Sequence, residues 1–427
     1  MRKSRRQFLQ QSLAAGIVAG SVTFNKPAKI RAASVNEKLV VGVMGLGRGK
    51  GLINSFAPSE NARVEYVCDV DSRRLADGAS LVAKLGGNDP QQVADVRKIP
   101  DDKRIDALVI AAPDHWHAPA TIMACNAGKH VYCEKPASHN PQEGEWMVAV
   151  ARKQNKVVQL GTQRRSMPSF IEGIAKLKSG VVGRPLLARG YYFNPRPTIK
   201  KGVAAAIPDW LNYDLWQGPA PEKDYHDNIV HYNWHWLWHW GTAELGNNGV
   251  HLIDICRWGL GADYAGRVVS GGGRYRYDDD QQTPDTGVTT FEFDKQAIIW
   301  EQRSFYKPIA DDQAKHEVLF YCENGTVGIG QSGYAVYDAG GTVTEEQTFK
   351  GGDIPHIENF ISCVRSGARP NADIEEGHKS TLLCHLGNIA WRTGRTVDID
   401  PATHRPKDAD QQKLWGRDYR NGWQPVV

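Results

Sequence analysis

The stretch Leu39-Val40-Val41-Gly42-Val43-Met44-Gly45-Leu46-Gly47-Arg48-Gly49-Lys50-Gly51 decides the fold. Its first six residues form an apolar, β-branched run, which predicts a strand buried on both faces. The glycines that follow permit a tight turn and let backbone N–H groups approach a pyrophosphate at a helix N-terminus. The third glycine of the GxGxxG fingerprint is absent, because Lys50 stands there with Gly49 and Gly51 beside it. A plain turn uses the same glycines, so the surrounding pattern has to decide.

That pattern repeats. Short apolar runs at Val64–Cys68, Ala107–Ala111, His130–Cys133 and Val157–Leu160 alternate with helical stretches up to about Gly161. This predicts an N-terminal doubly wound parallel sheet of the Rossmann type, residues 36–161, in an α/β protein. Asp69, at the end of the second strand and twenty-four positions after Gly45, is placed to accept hydrogen bonds from an adenosine ribose. Its charge disfavours a 2′-phosphate and favours NAD over NADP, while Arg73 and Arg74 keep a phosphate site open. Asp69 as the cap of the next helix is the competing reading, a role that Asp71 or Ser72 also fills.

Beyond Gly161 the segments become longer, alternating and aromatic: Pro185–Phe193, Val268–Tyr277, Gly287–Phe293 and Ala297–Phe305. Alternation predicts a large, mostly antiparallel open sheet covered on one face. Helical patterns over His356–Ser366 and Glu375–Arg392 complete a C-terminal α+β domain, residues 162–427, for substrate binding and oligomerisation. The uncovered sheet face points to a homodimer or homotetramer.

Two turns at the carboxyl ends of the third and fourth strands carry the chemistry: Pro113-Asp114-His115-Trp116-His117 and Cys133-Glu134-Lys135-Pro136. In open α/β sheets ligands bind there. A strand-terminal Glu-Lys-Pro after a Pro-x-x-x-His turn resembles the Gfo/Idh/MocA family of glucose-fructose oxidoreductases and inositol dehydrogenases. Gly161-Thr162-Gln163-Arg164-Arg165 and the segment from Gly241 to Asp254 extend the resemblance over about Leu39 to Arg395. The family commonly carries Asp-x-Gly-x-His-x-x-Asp in that last segment, and here the first aspartate is Asn247. The resemblance implies that Lys135 and His251 act beside a nicotinamide, with the place of the family's aspartate taken by Asn247. It also implies a cofactor held by Gly45, Leu46, Gly47, Arg48, Asp69, Arg73, Pro113, Asp114, Trp116, His117, Glu134, Lys135 and Gln163.

Removing hydride from a carbinol carbon needs a base for the hydroxyl proton and a donor for the developing oxyanion. His251, titrating near neutral pH, suits the base and Lys135 the donor. A desolvated lysine allows the reverse assignment. Asn247 takes no proton but orients a neighbour or binds a hydroxyl.

His231-Tyr232-Asn233-Trp234-His235-Trp236-Leu237-Trp238-His239-Trp240 places tryptophans two apart. An extended backbone puts them on one face, where indoles stack on pyranose rings. They serve equally to pack a domain rim. Arg164, Tyr192 and His235 are expected substrate contacts because their segments should border the nicotinamide, and Trp236 and Asn248 join them.

The first ten residues contain Ser4-Arg5-Arg6-x-Phe8-Leu9, the pattern of a twin-arginine export signal. A mild apolar stretch and Ala32-Ala33 follow, which predicts a signal peptide over residues 1–33, passage through the twin-arginine translocase, and a periplasmic protein without a membrane anchor. Removing residues 1–33 takes away seven basic residues and no acidic one, leaving 45 basic against 48 acidic, net −3 in place of +4. The basic excess belongs to the signal, so no nucleic-acid or anionic-lipid footprint remains. The seven cysteines lack the spacing of a metal site, and neither a structural metal nor a disulfide is expected.

The resulting expectation is an NAD-dependent oxidoreductase acting on a sugar, polyol or glycoside hydroxyl. Free nicotinamide nucleotide is not expected in the periplasm, so the cofactor should stay bound and be recycled in place. Redox-neutral glycoside cleavage by oxidation, elimination, addition and reduction is the first alternative. A non-catalytic sugar-binding protein is the second.

Overall fold

A computed structural model of the chain describes residues 37–305 and 316–427, so the export motif at residues 1–33 lies outside the described residues. The first sheet comprises β1 (Leu39–Met44), β2 (Ala62–Cys68), β3 (Gln91–Val93), β4 (Ala107–Ile110), β5 (His130–Cys133) and β6 (Val158–Leu160). Its order is β3-β2-β1-β4-β5-β6, all parallel. Helices α1 (Gly49–Phe56), α2 (Ser72–Gly86), α3 (Asp114–Asn126) and α4 (Pro141–Lys153) make the crossovers. Val41, Val43, Val64, Val67, Val109 and Val131 are all fully buried, as strands covered on both faces require. The sequence pattern had no signal for β3, a three-residue edge that begins with two exposed glutamines.

Local chemistry sets the helix ends. The Asp71 carboxylate accepts the Arg73 and Arg74 N–H groups and caps α2, leaving Asp69 free of that duty, and Gly87 closes the helix at φ +69°.

The second sheet contains β7 (Pro185–Phe193), β8 (Arg267–Gly273), β9 (Thr286–Glu292), β10 (Ala297–Arg303), β11 (Val318–Cys322), β12 (Gly325–Gly330), β13 (Gly333–Asp338), β14 (Val343–Thr348) and β15 (Val397–Asp398). The order is β14-β13-β12-β11-β7-β10-β9-β8-β15, antiparallel except between β7 and β10. Helix α5 (Pro168–Lys178) lies in the first part of this half, the short α6 (Tyr213–Gln217) precedes the aromatic run, and α7 (Val250–Leu260) follows it. Helices α8 (Ile354–Ser366) and α9 (Ile374–Thr393) come last. Phe170, Leu252, Phe291, Trp300, Phe320 and Leu383 form the core between the inner sheet face and α5, α7 and α9. Val269, Val288 and Tyr321 share the outer face by register and are exposed.

The two sheets are sewn together by late parts of the chain. Phe360 of α8 stands edge-on to Phe56 and Tyr132 in the core of the first sheet, and Trp423 stands edge-on to Trp116 at 5.3 Å. Arg165 makes a buried two-point contact with Asp254 at 2.7 and 2.9 Å. His356 joins β6 to α8 through the Leu160 carbonyl at 2.9 Å and the Ser166 hydroxyl at 2.7 Å. Among the described residues, no helix is long and apolar enough to cross a membrane.

Burial holds the His356 imidazole down at about 4, against roughly 6.5 in an unfolded chain. Between those values the unfolded state binds the extra proton, so the contribution is complete above pH 6.5 and disappears as pH falls toward 4. Urea unfolding from pH 7 to pH 4.5 is expected to show falling stability, with about 3 kcal/mol from this residue over the full window. The same series on His356→Asn should give a shallower slope, and an unchanged slope would refute the assignment.

Candidate active site

A cleft of about 510 Å³ runs along the carboxyl ends of the first sheet. At its near end, Gly45 leaves β1 at φ +84°, and a Cβ there would stand 2.5 Å from the Ala111 carbonyl oxygen. Only glycine meets both conditions. A Cβ on Gly47 would stand 3.1 Å from the Arg74 guanidinium at the cleft wall. Lys50, in the place of the missing third glycine, turns outward to Asp77 at 3.1 Å. Gly49 supplies the close approach of helix to strand one position early, with room for a Cβ only 3.2 Å from Val43. This glycine cradle opening on the N-terminus of α1 fits a dinucleotide pyrophosphate.

Asp69 borders the same end, its carboxylate receiving the Leu46 N–H at 2.7 Å and the Asp71 N–H at 2.9 Å. Leu46 thus acts through its backbone, its side chain being fully buried in the core. Arg48 spans the mouth between Glu134 at 3.1 Å and Asp353 at 2.8 Å. Burial opposes its charge, but Glu134 and Asp353 together hold its pKa above the ordinary value.

At the far end, Pro113, Asp114, Trp116, His117, Glu134, Lys135, Gln163, His235, Asn247 and His251 meet. The chain turns widely, in π-helical fashion, over Leu245–Gly249 before α7 begins. That turn presents Asn247 to Lys135, whose Nζ donates to the Asn247 carbonyl at 2.7 Å and to its Oδ1 at 3.0 Å. Burial lowers the Lys135 pKa from the usual lysine range, and the nearby Glu134, Asp114 and Glu244 carboxylates limit the fall. Burial raises the Asp114 pKa, and its Oδ2 accepts the Thr242 hydroxyl at 2.6 Å.

The expectation of His251 titrating near neutrality needs correction. Burial, reinforced by Arg164, Lys135 and Arg48, pushes its pKa well below that of a free imidazole. The ring is therefore neutral at pH 7, and its buried Nδ1 has no hydrogen-bond partner among the described residues.

Several expected contacts stand elsewhere. Arg73 folds onto Asp71 and lies 3.6 Å over the Trp210 ring, and Arg74 takes its place at the cleft. Arg164 is held by Glu317 at 2.7 and 2.8 Å. The Tyr192 hydroxyl accepts from Asn194 and Arg196, and Asn248 donates to Glu244. The aromatic run is not extended: Asn233–Trp236 forms a tight 3₁₀ turn. Trp234, Trp236 and Trp240 bury themselves against Trp216 and Leu237 rather than sharing an open face, although Trp234 also edges the cleft.

The run nevertheless contributes residues that pattern reading passed over. His231, bonded to Asp71, roofs the Asp69 end, and Leu215, Trp216 and Tyr232 line the cleft nearer His115, Trp116 and His235. The chain there is fixed to the first sheet by Ser72 N–H to the Trp210 carbonyl at 3.0 Å, Asn212 N–H to the Val70 carbonyl at 2.9 Å, and His231 Nε2 to Asp71 at 2.8 Å.

Comparison with known proteins agrees with this architecture. Residues 38–162 match the model of an oxidoreductase family's NAD-binding Rossmann fold, and residues 174–425 match that family's C-terminal alpha/beta domain. The scyllo-inositol 2-dehydrogenase (NAD+) of Bacillus subtilis is 24% identical over 385 residues, covering 84% of this chain and 95% of that protein. An inositol 2-dehydrogenase of Rubrobacter xylanophilus is 33% identical over 179 residues, 41% of this chain. This match, like several others, spans only about half the length of the curated relative, here 48%. A levoglucosan dehydrogenase solved with NADH and levoglucosan superposes with a TM-score of 0.66 at 18% identity, covering 85% of this chain and 99% of that one, a likeness of fold. The chain belongs to the Gfo/Idh/MocA family of NAD-binding oxidoreductases.

Proposed function

We propose that the protein oxidises a ring hydroxyl of a sugar or cyclic polyol, with NAD bound along the cleft and kept there between turnovers. The observation that carries this reading is the meeting of Lys135 and Asn247, at 2.7 and 3.0 Å, in the same cleft as the glycine turn and His251. The names of the relatives, inositol and levoglucosan dehydrogenases, support a hydroxylated ring as the substrate class.

When bound, NAD supplies the hydride acceptor. Lys135, its amine form favoured by burial, takes the hydroxyl proton on Nζ. The ammonium so formed already has two oxygen acceptors on Asn247, and its remaining N–H faces the substrate oxygen. Neutral His251 offers its unpartnered Nδ1 to the same or a neighbouring hydroxyl. Glu134 is held by Arg48 and Gln163 and keeps the wall of the cleft in place. Arg164, Tyr192, Trp236 and Asn248 are assigned supporting places around the substrate end instead of contact.

Retention is supported by the roof over the Asp69 end, whose hydrogen bonds to Val70, Asp71 and Ser72 would slow the escape of an adenosine held beneath it. A retained cofactor suits export through the twin-arginine route to the periplasm, for which the Ser4-Arg5-Arg6 motif speaks. A second copy on the outer face of the large sheet, at Val269, Val288 and Tyr321, completes the proposed homo-oligomer.

Lys135→Ala is expected to lose roughly 10²–10⁴-fold in nicotinamide reduction by inositols and free sugars, while NADH fluorescence titration gives an unchanged affinity. Undiminished turnover would remove Lys135 from the chemistry. Aglycone release from nitrophenyl glycosides without net nicotinamide reduction would replace oxidation by redox-neutral cleavage.

Gly45→Ala places a Cβ at positive φ against backbone and should weaken NADH binding at least about tenfold. The protein as purified should release near-stoichiometric nicotinamide nucleotide on denaturation. Trp210→Ala, which removes the ring beneath Arg73, should speed cofactor loss on gel filtration, and equal retention would count against the roof.

A further inference from the structure

The lysine at the centre of the cleft is served by an amide, and a carboxylate lies one step behind that amide. Glu244 sits in the turn of chain leading into Leu245–Gly249 and is fully buried. Its carboxylate is gripped by Arg196 at 3.1 and 3.2 Å and receives the Asn248 Nδ2. Arg196 is packed among the rings of Tyr192, Tyr232 and Trp236 at 5.4 to 5.8 Å. The Asn247 Nδ2 lies 3.5 Å from Glu244 Oε1, while its Oδ1 accepts from Lys135 at 3.0 Å. The carboxylate fixes this orientation, because it only accepts and so takes the Nδ2 side of the amide, which leaves Oδ1 for an N–H of the lysine.

We propose that Glu244 is a positioning residue for Lys135: it fixes the Asn247 amide with Oδ1 toward the lysine and supplies from behind the negative charge that Asn247 lacks. The inference rests on Lys135 being the working group of the site. The charged and titratable groups facing Lys135 are Glu134 and Asp114 from the first sheet, Glu244 from this turn, Arg48 from the glycine loop, and His117, His235 and His251. Burial holds all three imidazoles below the free value, so they are uncharged near neutral pH. Acidic support therefore comes from three carboxylates, and Glu244 is the one that also sets the geometry of the lysine's acceptor.

The test is the pH dependence of Lys135 acetylation by acetic anhydride, read by peptide mass spectrometry on the protein as purified. Glu244→Gln removes the charge and leaves Arg196 uncompensated, so the labelling midpoint should fall by about one pH unit. Asn247→Leu keeps the Arg196–Glu244 pair, cuts the amide link, and should lower the midpoint too, which serves if Glu244→Gln does not fold. Asn247→Asp placed in the Glu244→Gln background should return the midpoint to the wild-type value or above. Wild-type midpoints in both Glu244→Gln and Asn247→Leu would overturn the proposal. Labelling needs no turnover, so this result is separate from the Lys135→Ala assay that judges the oxidation itself.

Discussion

An ammonium group withdrawn from water must be given acceptors, and the arrangement of this protein follows from meeting that demand at Lys135. The lysine leaves the end of β5 in the first sheet, whereas both acceptors for its Nζ come from Asn247 in the second half of the chain. A buried cation without partners costs several kcal/mol. The contact is therefore part of how the halves associate as well as part of the chemistry we propose. The π-type turn at Leu245–Gly249 lets one asparagine offer its carbonyl and its side-chain oxygen to the same group.

The other end of the cleft is built on Asp71, and it shows how one carboxylate serves both halves. It caps α2, pairs with Arg73 and binds His231, which comes from the roof. Burial works against its charge, but those partners win and hold its pKa down at about 2. A carboxylate used for three structural contacts is not available to a ribose, whereas Asp69 lines the cleft, with Asp95 also in its wall. Capping and a place at the cleft are divided between two aspartates two residues apart.

Much of this was legible because both-face burial writes itself as continuous valine-rich runs, and five of the strands in the first sheet are such runs. The edge strand Gln91–Val93 is solvated and left no trace. The Lys135 end of the cleft was readable because Glu134-Lys135-Pro136 and the segment to His251 are local motifs. What failed was long-range. Arg164 looked free to meet substrate, but Glu317, 153 positions away, claims it. The alternating tryptophans were expected to share one face, a geometry that needs an extended backbone. Indoles this large gain more by burying one another, and the chain tightens at Asn233–Trp236 to let them. His251 was assigned a neutral-range pKa by residue type, yet its burial among Arg164, Lys135 and Arg48 decides otherwise.

The low basicity of the histidines also bears on why we propose the lysine as the base. A proton leaving a substrate hydroxyl goes to the group whose charged form the surroundings best support. His251 would become a further cation beside Lys135, Arg48 and Arg164, and no acceptor among the described residues waits at its Nδ1. Lys135 becomes charged among Glu134, Asp114 and Glu244 with two oxygens already in place. In the proposed reaction, solvation of the product ion, more than the intrinsic pKa of either side chain, favours Nζ for the proton and a neutral, hydrogen-bonding role for the imidazole.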